Sequence, residues 1–208
     1  MPARPHEVLP GIWHWRAHHE RIEKDVSSWY LPDAHVAIDP KLPEEGVAWF
    51  ADRGGVADLL LSCRHHYRDA GQLVDAFECS VHAPRSGLHE FTRGEPVAGY
   101  EPGDELPGGA VAVEIDAISP DETALHLPVH RAVLIADGVV RWEAGGPLAF
   151  VPDFLMGDEA EDVKAGLTAA FERLLELDFD HLLLAHGEPL VGDGKEQLQA
   201  FVAAQPRR

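Results

Sequence analysis

The sequence predicts an α/β protein with two β-sheets and helices outside them. The chain opens with several strand-like runs, and a β-α-β-α rhythm follows them. Three more strand-like runs then precede the clearest helical pattern in the chain. Two strand-rich halves that each end in helices fit a sandwich of two similar halves. With 208 residues, of which 45% are hydrophobic, the chain is predicted to be one domain over residues 1–208.

The first half is predicted to form the first sheet. EVLPGIWHW is an apolar run broken by Pro-Gly, which predicts two strands around a turn, and VSSWYL followed by AHVAID predicts a second hairpin. PEEGVAWFADRGG, from Pro43, has acidic residues at its front and a Gly pair at its end, as short helices do. VADLLLS is apolar without alternation, which indicates a strand covered on both faces. AGQLVDAF then predicts a helix, FECSVHAP a strand and PRSGLHEF a turn or helix.

The second half is predicted to form the second sheet. Residues 97–109 hold no helical period, whereas VAVEID, TALHLP and RAVLIAD are three short strand patterns separated by turn residues. Asp158 is predicted to cap a helix, with Glu161 at the capping-box spacing, because apolar residues then recur on one helical face. HLLLAHG predicts a last strand and GKEQLQAFVAA a final helix.

The segment 142–157, WEAGGPLAFVPDFLMG, is rich in Gly and Pro yet aromatic, which predicts an irregular segment. Its large side chains either cover a ligand or pack under the helix that follows. Both alternatives apply to Trp142, Phe150, Phe154 and Met156.

The formal net charge of −19 excludes some classes of partner. Nucleic acids and anionic membrane surfaces repel such a chain, so a small-molecule ligand is the expected partner. Two cysteines are too few for a disulfide framework, and MPARPHEVLPG lacks the apolar core of a signal peptide. No apolar run approaches the ~20 residues that span a bilayer. We therefore expect a cytoplasmic protein.

Residues that can carry chemistry cluster behind predicted strands. LSCRHHYRDAG places a cysteine, two histidines, a tyrosine and two arginines directly after an apolar run, and Asp137 and His186 each follow a later one. Four stretches resemble, in order and spacing, motifs of the metallo-β-lactamase superfamily, a group of hydrolases that includes glyoxalase II. They are AHVAIDP, VADLLLSCRHHYRDAG, RAVLIADGVV and FDHLLLAHGEPL. The resemblance spans the chain. It implies a four-layer αββα sandwich of two mixed sheets with the site at the sheet edges.

The family's His-x-His-x-Asp-His loop is altered in this chain. The resemblance puts Cys63 at the first histidine, His65 at the second, Tyr67 at the aspartate and Arg68 at the third histidine, so three of the four positions differ. The next family histidine falls near Ile118, and no histidine follows there before position 126. The metal-bridging aspartate and the last histidine are matched by Asp137 and His186.

These replacements undermine a two-metal centre. A hydrolytic zinc ion needs about three protein ligands, a neutral tyrosine is a poor ligand, and a guanidinium stays protonated. We therefore expect no bound cofactor. The alternative is one zinc or iron ion, held by Cys63, His65, Asp137 and His186. Without metal, Asp137 needs a cation, and Arg68 is predicted to lie in the space of the second metal and to pair with it.

Each candidate also has an ordinary structural interpretation. Cys63 fits a core residue, and His65 fits a pocket hydrogen bond. His66 should face the other side of an extended segment and be structural. Asp137 can cap the turn in ADG, and His186 can bond a backbone carbonyl. His18 and His19, which follow the first hairpin in RAHHER, either overhang the site or lie on a solvated loop.

These residues are compatible with three alternative functions, so the sequence leaves open whether the protein is an enzyme. The first is a relative with an eroded metal centre that binds a small ligand, anionic ligands included, without hydrolysing it. The second is a mononuclear metal-dependent hydrolase of an ester, thioester or lactone. The third, metal-free hydrolysis by Cys63 and His65, lacks an orienting third group. Asp137 and His65 are the predicted catalytic residues, and the predicted pocket lining is Cys63, Tyr67, Arg68, His186, His18 and His19.

Overall fold

Two β-sheets form the centre of the structure, a computed structural model that describes residues 3–206. The first sheet has seven strands in sequential order. The first four pair antiparallel and the last four pair parallel. The parallel strands are joined by crossovers that carry α1 (Ala48–Ala51), α2 (Ala70–Phe77) and the 3-10 helix Arg85–Glu90. The strands are β1 (Ala3–Leu9), β2 (Ile12–His19), β3 (Lys24–Leu31), β4 (Val36–Ile38), β5 (Asp58–Leu60), β6 (Ser80–Pro84) and β7 (Val97–Tyr100).

The second sheet has five strands, and it is also mixed. Its last two strands pair parallel through a crossover that holds α3 (Ala160–Leu174), whereas its other neighbours pair antiparallel. A final helix, α4 (Gly194–Ala203), follows the last strand. The strands are β8 (Glu105–Leu106), β9 (Ala110–Glu114), β10 (Thr123–Leu127), β11 (Ala132–Ile135) and β12 (His181–Leu184).

The buried apolar residues divide into three layers of core. One cluster joins the facing sides of the two sheets, with Trp29 and Leu60 from the first sheet and Leu125 and Leu183 from the second. A second cluster packs the first sheet against α1 and α2, and a third packs the second sheet against α3 and α4. The order is therefore helices, sheet, sheet, helices, which confirms the predicted αββα sandwich.

Main-chain hydrogen bonds also join the two sheets at one end. The Ser27 amide of β3 donates to the Ala185 carbonyl after β12 at 2.9 Å, and the Thr123 amide of β10 donates to the Ser62 carbonyl after β5 at 3.0 Å. These bonds fix the strand ends that carry the candidate site.

Most predicted elements are confirmed, and three details differ. The helix expected from Pro43 is limited to α1, because a chain of turns precedes it. Residues 97–109, where no strand was predicted, contain β7 and β8. Asp158 does not cap α3, because a 3-10 turn over Gly157–Glu159 comes first and the helix begins at Ala160 without a side-chain cap.

Part of the irregular segment 142–157 packs against the helices, as one of the two alternatives predicted. The Phe150 ring packs against Phe201 of α4 at 4.9 Å between centroids, and Met156 is buried in the same core. Trp142 and Phe154 are instead 45% and 81% exposed. No helix within residues 3–206 combines the length and the apolar character needed to cross a bilayer.

Candidate functional site

Four polar residues follow strands that end at the site. Asp39 comes after β4 and Ser62 after β5, a parallel pair of the first sheet. Asp137 comes after β11 and His186 after β12, the parallel pair of the second sheet. Because carboxyl ends of neighbouring parallel strands lie at one sheet edge, each pair is brought together by the topology.

The imidazole of His66 lies between two carboxylates and joins the two sheets. Its Nδ1 is 3.0 Å from Asp39 Oδ2 and 3.0 Å from Ser62 Oγ. Its Nε2 is 3.3 Å from Asp137 Oδ1. Both ring nitrogens therefore face oxygen atoms of the protein.

Asp39 holds Ser62 and His66 together through its carboxylate. Its carboxylate accepts hydrogen bonds from the Ser62 amide at 2.8 Å and from the Ser62 hydroxyl at 2.6 Å. The backbone of Asp39 is in the left-handed region at φ +48°, a conformation that is unfavourable for residues other than glycine. Such backbone strain is frequent at functional sites.

Asp137 has two imidazole neighbours. Besides His66, Nε2 of His186 lies 2.9 Å from Asp137 Oδ1. Burial alone would raise the pKa of Asp137, but His66 and His186 outweigh it and hold this pKa well below its usual range. The carboxylate is therefore ionised, and the protein itself supplies the groups that stabilise its charge.

The charge state of His66 follows from the same neighbours. Burial lowers the pKa of His66, whereas Cys63, Asp39 and Asp137 raise it, and the net pKa is well above its usual value. Burial likewise raises the pKa of Asp39, but His66 and Arg68 reverse the shift and lower it. The favoured state at neutral pH is an imidazolium between two carboxylates.

Arg68 lies beside this network but does not form the predicted ion pair with Asp137. Its Nη1 donates to the carbonyl oxygens of Ser27 and Asp39, both at 2.7 Å. Its Nη2 is buried without a hydrogen-bond partner, and no carboxylate of residues 3–206 lies within 4.0 Å of the guanidinium. The prediction was wrong for two reasons. Two main-chain carbonyl oxygens accept hydrogen bonds from the guanidinium, and the imidazoles of His66 and His186 already lie beside the Asp137 carboxylate.

The structure also shows that the expected orientation of His66 was wrong. In an extended segment, residues two apart share a face, so His65 was expected beside Cys63. The chain instead forms a 3-10 turn over Arg64–Tyr67, where residues three apart share a face. His66 therefore joins Cys63, and His65 is exposed, with no hydrogen bond from its ring to the described residues.

The other predicted pocket residues separate into two groups. Tyr67 packs against Phe91 at 5.7 Å between ring centroids, on the side of the helices. His18 is 51% exposed and lies 3.4 Å from Asp25 on the β2–β3 hairpin. His19 is closer to the site: burial, and then the charge of Arg68, lower its pKa, and its Nδ1 is buried without a partner.

Glu122 is a buried carboxyl group behind the site that the sequence analysis did not identify. Its Oε1 accepts a hydrogen bond from the Gly138 amide, next to Asp137, at 2.5 Å. Burial, and then the charge of Asp137, raise the pKa of Glu122 to about 8. Glu122 is therefore largely protonated at neutral pH.

Asp39, Ser62 and His66 were also missed as site residues. AHVAIDP was part of the family resemblance, so its strand-end aspartate was a signal that could have identified Asp39. Ser62 directly precedes Cys63 and carried no separate signal. His66 could be found only by predicting the turn.

The donor atoms fit one metal ion better than two. Cys63, His66 and Asp137 each offer a ligand atom, and these atoms lie within 4.8 Å of one another. Thiolate, imidazole and carboxylate form a set that zinc or iron accepts. The family positions for further ligands hold Tyr67, which packs elsewhere, and Arg68, which cannot coordinate. The residues present do not fit a two-metal centre.

A cleft of about 190 Å³ opens beside His186. It lies between the β2–β3 hairpin and the loops that follow β11 and β12. Its lining residues are Arg16, Lys24, Asp25, Arg141, Trp142, His186 and Gly187.

Comparison with known proteins gives the family. A model of the metallo-β-lactamase superfamily matches residues 8–205. No curated protein matches this chain. The solved structures that are similar to it include the DIM-1 metallo-β-lactamase, with 14% identity, a TM-score of 0.72 and 96% of each chain covered.

Two further solved structures have the same fold. The metallo-β-lactamase family protein TTHA1429 from Thermus thermophilus is 15% identical, with a TM-score of 0.68 over 95% of this chain and 80% of its own. TTHA1623, solved in a di-iron-bound form, is 21% identical, with a TM-score of 0.61 over 95% and 98%. At such low identities, the likeness shows a common fold. Because the family model covers nearly the whole sequence, the chain belongs to the metallo-β-lactamase superfamily.

Proposed function

We propose that this protein binds a small ligand without hydrolysing it, and that its own cationic side chains replace a two-metal centre. The observation that carries the proposal is the position of His66 between Asp39 and Asp137, at 3.0 and 3.3 Å. Asp39 is buried and Asp137 is partly buried, with 28% of its side chain exposed, so both carboxylates need nearby positive charge, and the imidazolium supplies it without a metal ion.

The unsatisfied atoms around the network support ligand binding. Arg68 Nη2, His19 Nδ1 and His186 Nδ1 are buried and have no hydrogen-bond partner among residues 3–206. A buried polar atom without a partner costs about 1–3 kcal/mol, and a bound ligand with suitable acceptors removes this cost. Asp137 Oδ1, an acceptor, is also buried there without a hydrogen bond to the described chain, so these atoms together favour a polar ligand that offers both donors and acceptors.

A mononuclear hydrolase acting on an ester, thioester or lactone is the second candidate, and one observation favours it. The Cys63, His66 and Asp137 donors lie within 4.8 Å of one another, and Asp39 bonds the other nitrogen of His66, as carboxylates do behind metal-bound histidines. An ion held by these residues would supply Lewis acidity toward a substrate carbonyl. In that case His66 would be neutral, and Asp39 would orient its ring.

Metal-free hydrolysis by a thiol is not supported. Cys63 is 2% exposed, and burial raises the pKa of its thiol, which disfavours the nucleophilic thiolate. The histidine predicted to activate it, His65, is turned out of the cluster.

Metal analysis of the protein purified without chelator separates the two candidates. We expect no stoichiometric metal by elemental analysis, weak zinc binding by calorimetry, and no hydrolysis of a nitrophenyl ester, a thioester or a lactone with added zinc. If no metal binds, His66→Asn should change the stability of the fold. His65→Asn, at the exposed neighbouring residue, is the matched control and should not. One tightly bound equivalent, lost in His66→Asn and kept in His65→Asn, would overturn the proposal in favour of the hydrolase.

A further inference from the structure

The cleft beside His186 concentrates positive charge in a strongly acidic chain. The chain has 17 Lys and Arg residues against 36 Asp and Glu residues. The cleft lining nevertheless holds three cations, Arg16, Lys24 and Arg141, and one carboxylate, Asp25. An excess of positive charge in a concave surface attracts anions.

Two of the three cations have no carboxylate partner among residues 3–206. Arg16 lies 3.3 Å from Glu188 and 3.9 Å from Asp25, so its charge is compensated. No carboxylate oxygen of the described chain lies within 4.0 Å of Lys24 or Arg141. These two cations are free to bind an added anion.

Arg141 is held in place by main-chain contacts. Its Nε donates to the Gly146 carbonyl at 2.8 Å, and its Nη1 lies 3.4 Å from the Pro189 carbonyl oxygen. Its remaining nitrogen, Nη2, makes no hydrogen bond to residues 3–206. A guanidinium that is fixed in this way loses little side-chain entropy when it binds an oxyanion.

An exposed indole lies near Lys24 and His186 in the same cleft that Arg141 lines. Lys24 Nζ is 5.9 Å from the centroid of the Trp142 ring, and the His186 ring is 6.4 Å away at an interplanar angle of 46°. Trp142 is 45% exposed, so part of its indole is accessible to a ligand in the cleft. An exposed aromatic face beside fixed polar groups is suited to stacking with a planar ring.

We propose that this cleft binds an aryl oxyanion, an aromatic ring carrying a carboxylate or phosphate group, with the anion at Arg141 and Lys24 and the ring on Trp142. The inference rests on the proposed function in taking this site to bind a small molecule. At about 190 Å³ the cleft is smaller than most ligand sites, which span roughly 300–1,000 Å³, so it fits a single ring.

Calorimetric titration with benzoate and with phenyl phosphate tests the proposal. We expect one ligand per chain for at least one of them, and the tighter of the two identifies the anionic group. Cyclohexanecarboxylate, which has the charge but no planar ring, and benzamide, which has the ring but no charge, should both bind more weakly. Equal binding of benzoate and cyclohexanecarboxylate, or of benzoate and benzamide, would overturn the assignment.

Variants then locate the binding site. Arg141→Gln should weaken binding about tenfold or more, as expected for the loss of one charge-assisted hydrogen bond. Lys24→Gln, on an exposed side chain, should give a smaller loss, and it keeps the test decisive if Arg141→Gln does not fold. Arg93→Gln removes the same charge from an exposed turn and should change nothing. Binding that is the same in the Lys24, Arg141 and Arg93 variants would place the ligand elsewhere and refute the inference.

The same titrations on chelator-treated and zinc-treated protein separate this inference from the proposed function. Stoichiometric metal with intact benzoate or phenyl phosphate binding would refute the proposed function and leave the cleft assignment standing. Failure of both probes to bind in both preparations would refute the cleft assignment alone.

Discussion

Nε2 of His186 lies 2.9 Å from Oδ1 of Asp137, and the two residues follow the neighbouring parallel strands β12 and β11. The family resemblance predicted that both residues would lie at one site, but it paired Asp137 with Arg68. The structure instead places two imidazoles, of His186 and His66, beside the carboxylate.

Asp39→Asn should destabilise the fold strongly. The substitution leaves His66 without one of its two carboxylates and disturbs two hydrogen bonds from Ser62. Breaking a buried ion pair costs about 3–5 kcal/mol, and we expect a loss of this order in urea denaturation at pH 7. Because the folded-state pKa of Asp39 is lowered, its contribution is present above the ordinary value of 3.8 and is lost as the pH falls through the folded pKa. A variant as stable as the wild type would show that the network does not stabilise the fold.

Arg68→Ala should cost about 2–4 kcal/mol, because two buried carbonyls lose their donor and Asp39 loses a nearby charge. Arg68→Lys keeps the charge and one donor, so its loss should be clearly smaller. The two variants are compared by chemical denaturation at several salt concentrations. Equal losses would mean that the guanidinium acts through its shape and not through its charge.

Glu122→Gln should flatten the pH dependence of stability. The pKa of Glu122 is raised from 4.5 to about 8 in the folded protein, so its stabilising effect is complete below pH 4.5 and is lost as the pH rises toward 8. A shift of this size corresponds to about 5 kcal/mol at most. Thermal denaturation of both proteins between pH 5 and 9 measures the difference. Parallel curves for the two proteins would contradict the assignment of a protonated Glu122.

Gly187→Ala should be far more harmful than Gly192→Ala. Both glycines have positive φ, +122° and +90°, so each substitution adds backbone strain of about 1–2 kcal/mol. Only at Gly187 would the new Cβ lie 2.3 Å from the Arg141 carbonyl oxygen, whereas at Gly192 nothing lies within 4 Å. Denaturation midpoints, together with benzoate or phenyl phosphate titration, compare the pair. Similar stability of the two variants would argue that the loop after β12 adjusts freely.

The sequence contained enough information for the fold and for part of the site. The strands before Asp137 and His186 are short apolar runs bounded by turns, so their ends could be located, and the family resemblance placed those ends together. The choice between His65 and His66 depends instead on a single 3-10 turn, which no periodicity in so short a segment reveals. The partners of Arg68 depend on its backbone at φ +43° and on carbonyls distant in sequence. Such long-range main-chain contacts leave no pattern in the sequence.

The two main-chain hydrogen bonds between the sheets, from Ser27 to Ala185 and from Thr123 to Ser62, also restrict the motion of one sheet relative to the other. While both persist, the sandwich cannot hinge apart at its site end, so motion there is confined to loops such as the tip of the β2–β3 hairpin. Loop movements of this kind take nanoseconds to microseconds. The Ser27 and Thr123 amide protons should then be among the slowest to exchange with solvent, released only when the whole domain unfolds.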